Sequence, residues 1–346
     1  MQKARLGKSG LWVSRSSFGC LPIQRVELKE AVRLLCKAYD SGFNFFDTAR
    51  IYTDSEEKLG CAFQNKRQSV FIATKTQAKN ANSLWKDLEV SLKTLKTDYI
   101  DLYQLHNPSF VPLPGGEDGI YDALIDAKNK GLIRHIGITS HVLDVAKQAV
   151  RSGLYETLQF PFSCLSSKSD ETLVKLCNQE DIGFIAMKAL SGGLIKNIKA
   201  NFCYLSSFEN VVPIWGIQME SELEEFISLE KNPPAYNERI RLEVDKERKE
   251  LSGEFCRGCG YCLPCPAKIS IPMVARMDKF LSRGVVSQYT TPEWINKMVQ
   301  IEDCILCEQC ESKCPYQLKP YKLIKKQLDF YRRFCAENNI PQKAGV

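Results

Sequence analysis

The sequence predicts an α/β fold, a (β/α)8 barrel followed by a small, mostly helical, cysteine-rich domain. Short apolar runs alternate with longer amphipathic stretches over roughly the first two thirds of the 346 residues, a pattern typical of βα units around a parallel sheet. Eight such runs occur, which is the number that closes a barrel. Beyond them, eight of the fifteen cysteines fall into two short clusters.

The predicted strands cover residues 14–20, 43–49, 70–76, 100–106, 134–140, 157–163, 182–189 and 211–217. Helical patterns such as those of residues 27–42 and 82–96 separate them. A glycine-rich dinucleotide-binding fingerprint follows none of these strands, so a doubly wound sheet has no support. The turn-rich opening at residues 4–13 predicts a hairpin that closes the bottom of the barrel.

The predicted domain boundaries follow changes in composition. Residues 1–229 form the barrel. Residues 230–252 contain a proline pair and a dense mixture of charges, and they are predicted to form a charged helical linker. Residues 253–346 contain both cysteine clusters and end in a helix.

Composition excludes several classes of protein. With 44% hydrophobic residues and a net charge of +6, the chain is neither disordered nor strongly basic, and we expect no nucleic-acid partner. It contains no run of about eighteen apolar residues and no apolar leader, so we expect no membrane association and a cytoplasmic location. In a reducing compartment, many cysteines indicate metal binding or catalysis rather than disulfides.

Four polar residues near the ends of predicted strands are the candidate catalytic residues: Asp47, Tyr52, Lys75 and His106. Each alone has a structural explanation. Asp47 fits a turn residue and Tyr52 a surface aromatic. Lys75 fits a charge that reaches solvent, and His106 fits a buried, hydrogen-bonded histidine. Together they form a proton donor, because Lys75 beside Tyr52 lowers the pKa of the phenol. Asp47 then orients Lys75, and His106 positions a carbonyl oxygen against the hydroxyl.

The segments that contain these residues, "FNFFDTARIYTDSEEKLG", "VFIATKT" and "DLYQLHNP", resemble the aldo-keto reductases. The resemblance covers about the first 229 residues. It implies that the four residues are the catalytic tetrad of that family, that NADP or NAD delivers hydride to a carbonyl, and that Tyr52 protonates the oxygen. It also implies six cofactor-binding residues: Thr139, Ser140, Gln159, Met187, Gly216 and Gln218.

Two departures from the family pattern concern the cofactor. The segment after the eighth strand has no obvious arginine or lysine for a 2′-phosphate and is acidic, which weakens the expectation of NADP; its carboxylates are Glu220, Glu222, Glu224 and Glu225. Met187 stands where many relatives have an aromatic residue that stacks on the nicotinamide.

The cysteine spacing predicts iron–sulfur centres. Cys304, Cys307, Cys310 and Cys314 fit the bacterial ferredoxin run, and the other cluster departs from it by one residue before its last cysteine; its members are Cys256, Cys259, Cys262 and Cys265. In two-cluster ferredoxins the last cysteine of each run binds the iron–sulfur cluster of the other run. We therefore predict two 4Fe–4S clusters, one bound by Cys256, Cys259, Cys262 and Cys314, and the other by Cys304, Cys307, Cys310 and Cys265. Two structural zinc sites are the alternative, but such sites usually separate their cysteine pairs by a longer stretch.

Two hypotheses for the function follow. In the first, the chain is an aldo-keto reductase that acts on a small carbonyl or alcohol, while its clusters exchange electrons with a ferredoxin- or flavodoxin-like carrier or only stabilise a helical domain. In the second, it is an electron-transfer or interaction protein whose barrel binds nicotinamide with little carbonyl turnover. The complete tetrad favours the first. The basic segment from Lys319 to Arg333 is either an ordinary solvated helix or a docking surface for an acidic carrier.

Overall fold

The computed structural model describes residues 1–251, 255–258, 260–283, 286–314 and 316–341. Contacts divide the chain into two units, Met1–Ala189 with Asn197–Glu247 and Leu190–Lys196 with Arg248–Val346. The segment Leu190–Lys196 therefore groups with the second unit, although it lies within the range predicted for the barrel. The boundaries at residues 229 and 252 stay a prediction.

The first unit begins with a hairpin of β1 (Lys3–Arg5) and β2 (Trp12–Ser14), which pair antiparallel. Its apolar side chains belong to one buried cluster with residues from the first halves of the barrel strands. The members of that cluster include Ala4, Leu6, Leu11, Val13, Phe45, Ala73, Leu102 and Val212. The predicted hairpin is therefore present and covers the N-terminal end of the barrel.

Eight parallel strands form the closed barrel, as the sequence predicted. They are β3 (Ser17–Gly19), β4 (Phe45–Asp47), β5 (Phe71–Thr76), β6 (Ile100–His106), β7 (Ile133–Thr139), β8 (Thr157–Pro161), β9 (Gly183–Met187) and β10 (Val211–Gly216). Each strand pairs with its neighbours in chain order, and β10 closes the barrel on β3, with Ile214 opposite Ser17. The carboxyl ends of all eight strands consequently meet at one mouth.

Helices follow the strands because apolar residues recur at helical spacing on one side of each. They are α1 (Leu28–Asp40), α2 (Ser55–Phe63), α3 (Ala81–Leu95), α4 (Ile120–Asn129), α5 (Leu143–Arg151), α6 (Lys168–Gln179), α7 (Ile198–Ser206) and α8 (Glu220–Lys231). In α1, for example, Leu34 and Leu35 are buried. The side chains of Asn80 and Ser167 accept backbone N–H bonds at the starts of α3 and α6. The charged helix α9 (Glu238–Glu250) comes next and buries Ile240 and Val244.

The C-terminal region is mostly helical, as predicted. Its helices are α10 (Ile271–Val274), α11 (Met277–Arg283), α12 (Pro292–Val299), α13 (Gln309–Ser312) and α14 (Pro320–Glu337). The long α14 buries Ile324, Leu328, Tyr331 and Cys335, which repeat every three to four residues along one face. Among the helices of the described residues, none combines the length and hydropathy needed to cross a bilayer.

Candidate active site and metal centres

Side-chain alternation along the strands brings three of the four candidate residues into the barrel interior. Phe45, Ala73 and Leu102 face the interior near the bottom of β4, β5 and β6. Because side chains of a strand alternate between its faces, the residues two positions further, Asp47, Lys75 and Gln104, face the same interior nearer the mouth. His106 lies two positions beyond Gln104, at the end of β6.

Asp47 and Lys75 form a buried ion pair, with Lys75 Nζ 2.6 Å from Asp47 Oδ2. The ammonium also donates to the backbone oxygen of Thr48 at 2.5 Å. Burial raises the pKa of Asp47 and lowers the pKa of Lys75, and the attraction between the two groups opposes both shifts. The second oxygen of the carboxylate, Oδ1, accepts hydrogen bonds from the amides of Gln104 at 3.2 Å and Gln159 at 3.0 Å.

Tyr52 lies in the segment between β4 and α2 and is half-buried. Lys75 Nζ is 5.3 Å from the centre of its ring. This segment is fixed on both sides of the tyrosine, because Thr48 and Ser55 share a hydroxyl hydrogen bond of 2.8 Å and Arg50 forms an ion pair with the buried Glu56. The cation therefore lies beside a tyrosine whose backbone is held in place.

His106 is buried against Tyr52, with ring centroids 5.9 Å apart. Burial, together with the positive charges of Lys75 and Lys188, lowers the pKa of this histidine to about 3. The imidazole is consequently neutral near pH 7, with one N–H donor and one acceptor nitrogen. Within the described part of the chain, its Nδ1 atom has no hydrogen-bond partner. The structure thus brings all four candidate residues together.

Sequence reasoning missed three residues at or just below this mouth: Gln104, His141 and Lys188. His141 follows β7, and its backbone N–H donates to Asn107 Oδ1 at 2.9 Å. Burial lowers the pKa of His141 well below its usual value, with Lys188 and His106 acting in the same direction. The position of Lys188 directly after β9 is the signal that could have found it, because that is where barrel enzymes carry functional residues.

The six predicted cofactor-binding residues all lie in the last four strands or in the segments directly after them. Thr139, Met187 and Gly216 end β7, β9 and β10, and the Ser140 N–H donates to the Gln159 carbonyl oxygen at 3.0 Å. Gln159 itself binds Asp47 through its amide, and Gln218 lies in the short segment between β10 and α8. Their common position at the mouth is observed, whereas their contact with a cofactor stays a prediction.

The acidic start of α8 is largely balanced by neighbouring cations. Glu220 forms ion pairs with Arg33 and Lys37 of α1, which lower the pKa of Glu220 to about 2. Lys37 Nζ is also 2.6 Å from Glu224 Oε1. Glu222 accepts the backbone N–H groups of Gln218 and Met219, at 2.8 and 3.0 Å, and so satisfies two donors at the helix N-terminus.

The cysteines of the second unit line two cavities. The larger, about 380 Å³, is lined by Cys265 together with Cys304, Cys307 and Cys310, and Cys262 also reaches it. The smaller, about 340 Å³, is lined by Cys256, Cys262 and Cys314. The last cysteine of each run therefore lies with the first cysteines of the other run, as the crossed ligand prediction requires. Cys259 lies outside the described residues.

The donor set of these cavities fits iron–sulfur clusters. No cysteine in the described ranges belongs to a disulfide, and cysteine thiolates are the ligands of four-iron clusters. A backbone N–H, that of Gly258, points at Cys256 Sγ from 3.3 Å, as the amides around cluster sulfurs do. In the described ranges, no three His, Cys, Asp or Glu side chains converge on a single ion; the thiols instead line the walls of the two cavities.

A buried lysine–aspartate pair beside a tyrosine at the barrel mouth, and thiol-lined cavities in the second unit, are features typical of an oxidoreductase. Residues 12–227 match the model described as the Aldo/keto reductase family, and the chain belongs to that family. Residues 255–319 match the 4Fe-4S dicluster domain, which confirms the prediction of two four-iron clusters. The predicted combination of an aldo-keto reductase barrel and a C-terminal iron–sulfur domain is therefore confirmed.

Named relatives agree with this assignment. An uncharacterized oxidoreductase of Bacillus subtilis, YqkF, is 31% identical over 214 residues, which cover 56% of this chain and 67% of that protein. The methylglyoxal reductase DkgB of Yersinia pestis is 34% identical over 210 residues, covering 56% of this chain and 76% of the relative. An aldo-keto reductase of Klebsiella pneumoniae, solved in complex with NADPH, shares the fold with a TM-score of 0.63 and 19% identity, covering 71% of this chain and 94% of its own.

Proposed function

We propose that this chain interconverts a small carbonyl compound and its alcohol by hydride transfer, with Tyr52 as the proton donor. The observation that carries the proposal is the buried Lys75–Asp47 ion pair, whose ammonium nitrogen lies 5.3 Å from the centre of the Tyr52 ring. A fixed cation beside a phenol stabilises the phenolate that proton transfer leaves behind.

The chain's own residues supply the acid and the orientation. In the reductive direction the carbonyl carbon gains a hydride, its oxygen gains the Tyr52 proton, and the phenolate then recovers a proton from solvent. A bound nicotinamide supplies the hydride. Neutral His106 offers an N–H donor that holds the carbonyl oxygen against the Tyr52 hydroxyl without adding a competing charge.

The nicotinamide is proposed to bind across the mouth, where the six predicted contact residues lie in or just after the last four strands. The barrel from Klebsiella pneumoniae that was solved in complex with NADPH supports this proposal through fold alone. The relative named methylglyoxal reductase supports small carbonyls as the substrate class. We propose NADP or NAD as the hydride carrier, because the balanced acidic start of α8 argues for neither one.

We propose further that the two four-iron clusters exchange electrons with a separate one-electron carrier. Hydride transfer moves two electrons together, whereas each cluster passes one, so the two activities are distinct. Among the ligands of the larger cavity, Cys307 is exposed, and the neighbouring Ile305 is 67% exposed. This cluster edge is therefore open to a partner. We also propose a reducing location, the cytoplasm, because the cysteines of the described ranges are numerous and none of them is in a disulfide.

The test uses the full-length protein purified without oxygen and loaded with iron. Methylglyoxal and a panel of other small aldehydes and ketones are mixed with NADH or NADPH, and loss of the reduced nicotinamide absorbance is followed. We expect carbonyl-dependent oxidation with at least one nicotinamide, and its loss in Tyr52→Phe. Binding of nicotinamide without turnover of any carbonyl would support the electron-transfer function instead.

A further inference from the structure

Gln104 lies in the barrel interior, between the bottom core and the mouth. It is fully buried on β6, pairs in register with Lys75 of β5, and stands two residues before His106. Its Nε2 atom donates to Asp47 Oδ1 at 3.2 Å. The amide of Gln159, on β8, reaches the same oxygen from the other side of the barrel at 3.0 Å.

We infer that Gln104 is a positioning residue that holds Asp47 so that its other oxygen is presented to Lys75. The two amides occupy Oδ1, and Lys75 occupies Oδ2. A carboxylate bound on both oxygens cannot rotate about its last bond without breaking a charge-assisted hydrogen bond. The orientation of the Lys75 ammonium beside Tyr52 therefore depends on Gln104. The effect on catalysis rests on the proposed function, whereas the positioning of Asp47 does not.

The unpaired atom of Gln104 supports this role. Within the described residues, its Oε1 atom is buried and has no hydrogen-bond partner. A buried carbonyl oxygen without a partner is unfavourable, and an aliphatic side chain in this place would avoid that cost. The feature of glutamine that the site uses is thus the N–H that it gives to Asp47. Titratable groups that act on Asp47 include Lys75 of β5 and the buried thiol of Cys20, which follows β3.

Gln104→Met tests the inference, since methionine keeps the length of the side chain and removes the donor. Thr157→Val is the matched control: Thr157 is also a fully buried polar residue of a barrel strand, and its hydroxyl has no partner within the described part of the chain. Isotope-labelled aspartate followed by NMR, with Asp47→Asn for assignment, gives the titration of the Asp47 carboxyl without requiring turnover. Thermal unfolding verifies that both variants fold. If Gln104→Met does not fold, Gln104→Leu replaces it.

We expect the methionine variant to raise the apparent pKa of Asp47 by about one unit, because a hydrogen bond to the charged form is lost. We also expect kcat to fall about tenfold with KM for the carbonyl nearly unchanged. Thr157→Val, the control, should change neither the pKa of Asp47 nor kcat. An Asp47 titration that is the same in both variants overturns the inference. Since this titration is read without catalysis, a chain that turns over no carbonyl would refute the proposed function, while the titration would still decide whether Gln104 positions Asp47.

Discussion

The rings of Tyr52 and His106 meet edge to face, with an interplanar angle of 84° and centroids 5.9 Å apart. Burial keeps the imidazole neutral near pH 7 by lowering its pKa to about 3. The cation beside the tyrosine is therefore Lys75, with its buried partner Asp47. In the proposed mechanism, Lys75 supports the acid strength of Tyr52, and His106 orients the substrate. The two roles can therefore be tested with separate variants.

Tyr52→Phe should reduce carbonyl turnover by about 10²–10⁴-fold, the range for loss of a general acid. Nicotinamide affinity, measured by fluorescence titration, should hardly change, because the ring remains. Lys75→Met should show a similar loss of turnover, since it removes the charge that stabilises the phenolate. Tyr121→Phe is the control, because Tyr121 lies on α4 and bonds the Leu154 carbonyl. Turnover of Tyr52→Phe equal to that of this control would remove the tetrad assignment.

The depressed pKa of His106 predicts a pH dependence of stability. Its folded-state pKa, about 3, lies below the ordinary value of 6.5. The unfolded chain therefore binds more protons between these two values, so the contribution of neutral His106 to stability is present above about pH 6.5 and is lost as the pH falls toward 3. Urea unfolding of the wild type should show a larger loss of free energy between about pH 7.5 and about pH 5 than unfolding of His106→Gln. Equal losses would contradict burial of a neutral imidazole.

The barrel was predictable from its sequence because each strand is a mostly apolar run of about the right length. Several of these runs end in a polar residue, such as Asp47 or His106. Gln104 was not predictable, since it stands inside a strand, and its bond to Asp47 depends on the registers of β4, β5 and β6, which no local pattern gives. The grouping of Leu190–Lys196 with the second unit was equally invisible. It results from contacts between segments distant in the chain, such as the hydrogen bond of Arg276 to the Gly192 carbonyl at 3.1 Å.

The crossed arrangement of cysteines predicts which cluster each substitution removes. The loaded protein should be brown and contain about eight irons. Cys314→Ser should affect the cluster of Cys256 and Cys262, with which Cys314 shares a cavity, and should leave about four irons. Cys265→Ser should affect the other cluster instead. Iron analysis and electron paramagnetic resonance distinguish the two outcomes.

Cys335→Ala is the control for these variants, because Cys335 is buried in α14 and lines neither cavity. It should retain the full iron content. If Cys314→Ser lost the signal of the Cys304–Cys310 cluster and kept the other, the ligands would be uncrossed. A colourless protein with stoichiometric zinc would contradict iron–sulfur binding altogether.

The clusters should be redox-active, and a carrier should reach them through the larger cavity. Two clusters bound through crossed ligands lie close together, which suits passage of electrons, whereas zinc or an apolar core would suffice to stabilise a domain of this size. The helix α14 lines the larger cavity with Tyr321 and Ile324, and its exposed lysines, Lys322, Lys325 and Lys326, lie on the same helix. Positive charge on the helix that lines this cavity favours an acidic carrier by raising the rate of encounter.

Stopped-flow bleaching of the oxidised clusters by a reduced, acidic ferredoxin or flavodoxin measures this encounter. We expect the rate to fall as salt is added, because screening weakens long-range attraction, and to fall several-fold when Lys322, Lys325 and Lys326 are changed to glutamate. Lys29→Glu, a charge reversal at an exposed lysine of α1, should leave the rate unchanged. A small chemical reductant should bleach all variants equally, since it needs no docking surface. Two results together would establish a structural role for the iron: no low-potential donor reduces the clusters, and the carrier does not change the rate of carbonyl turnover.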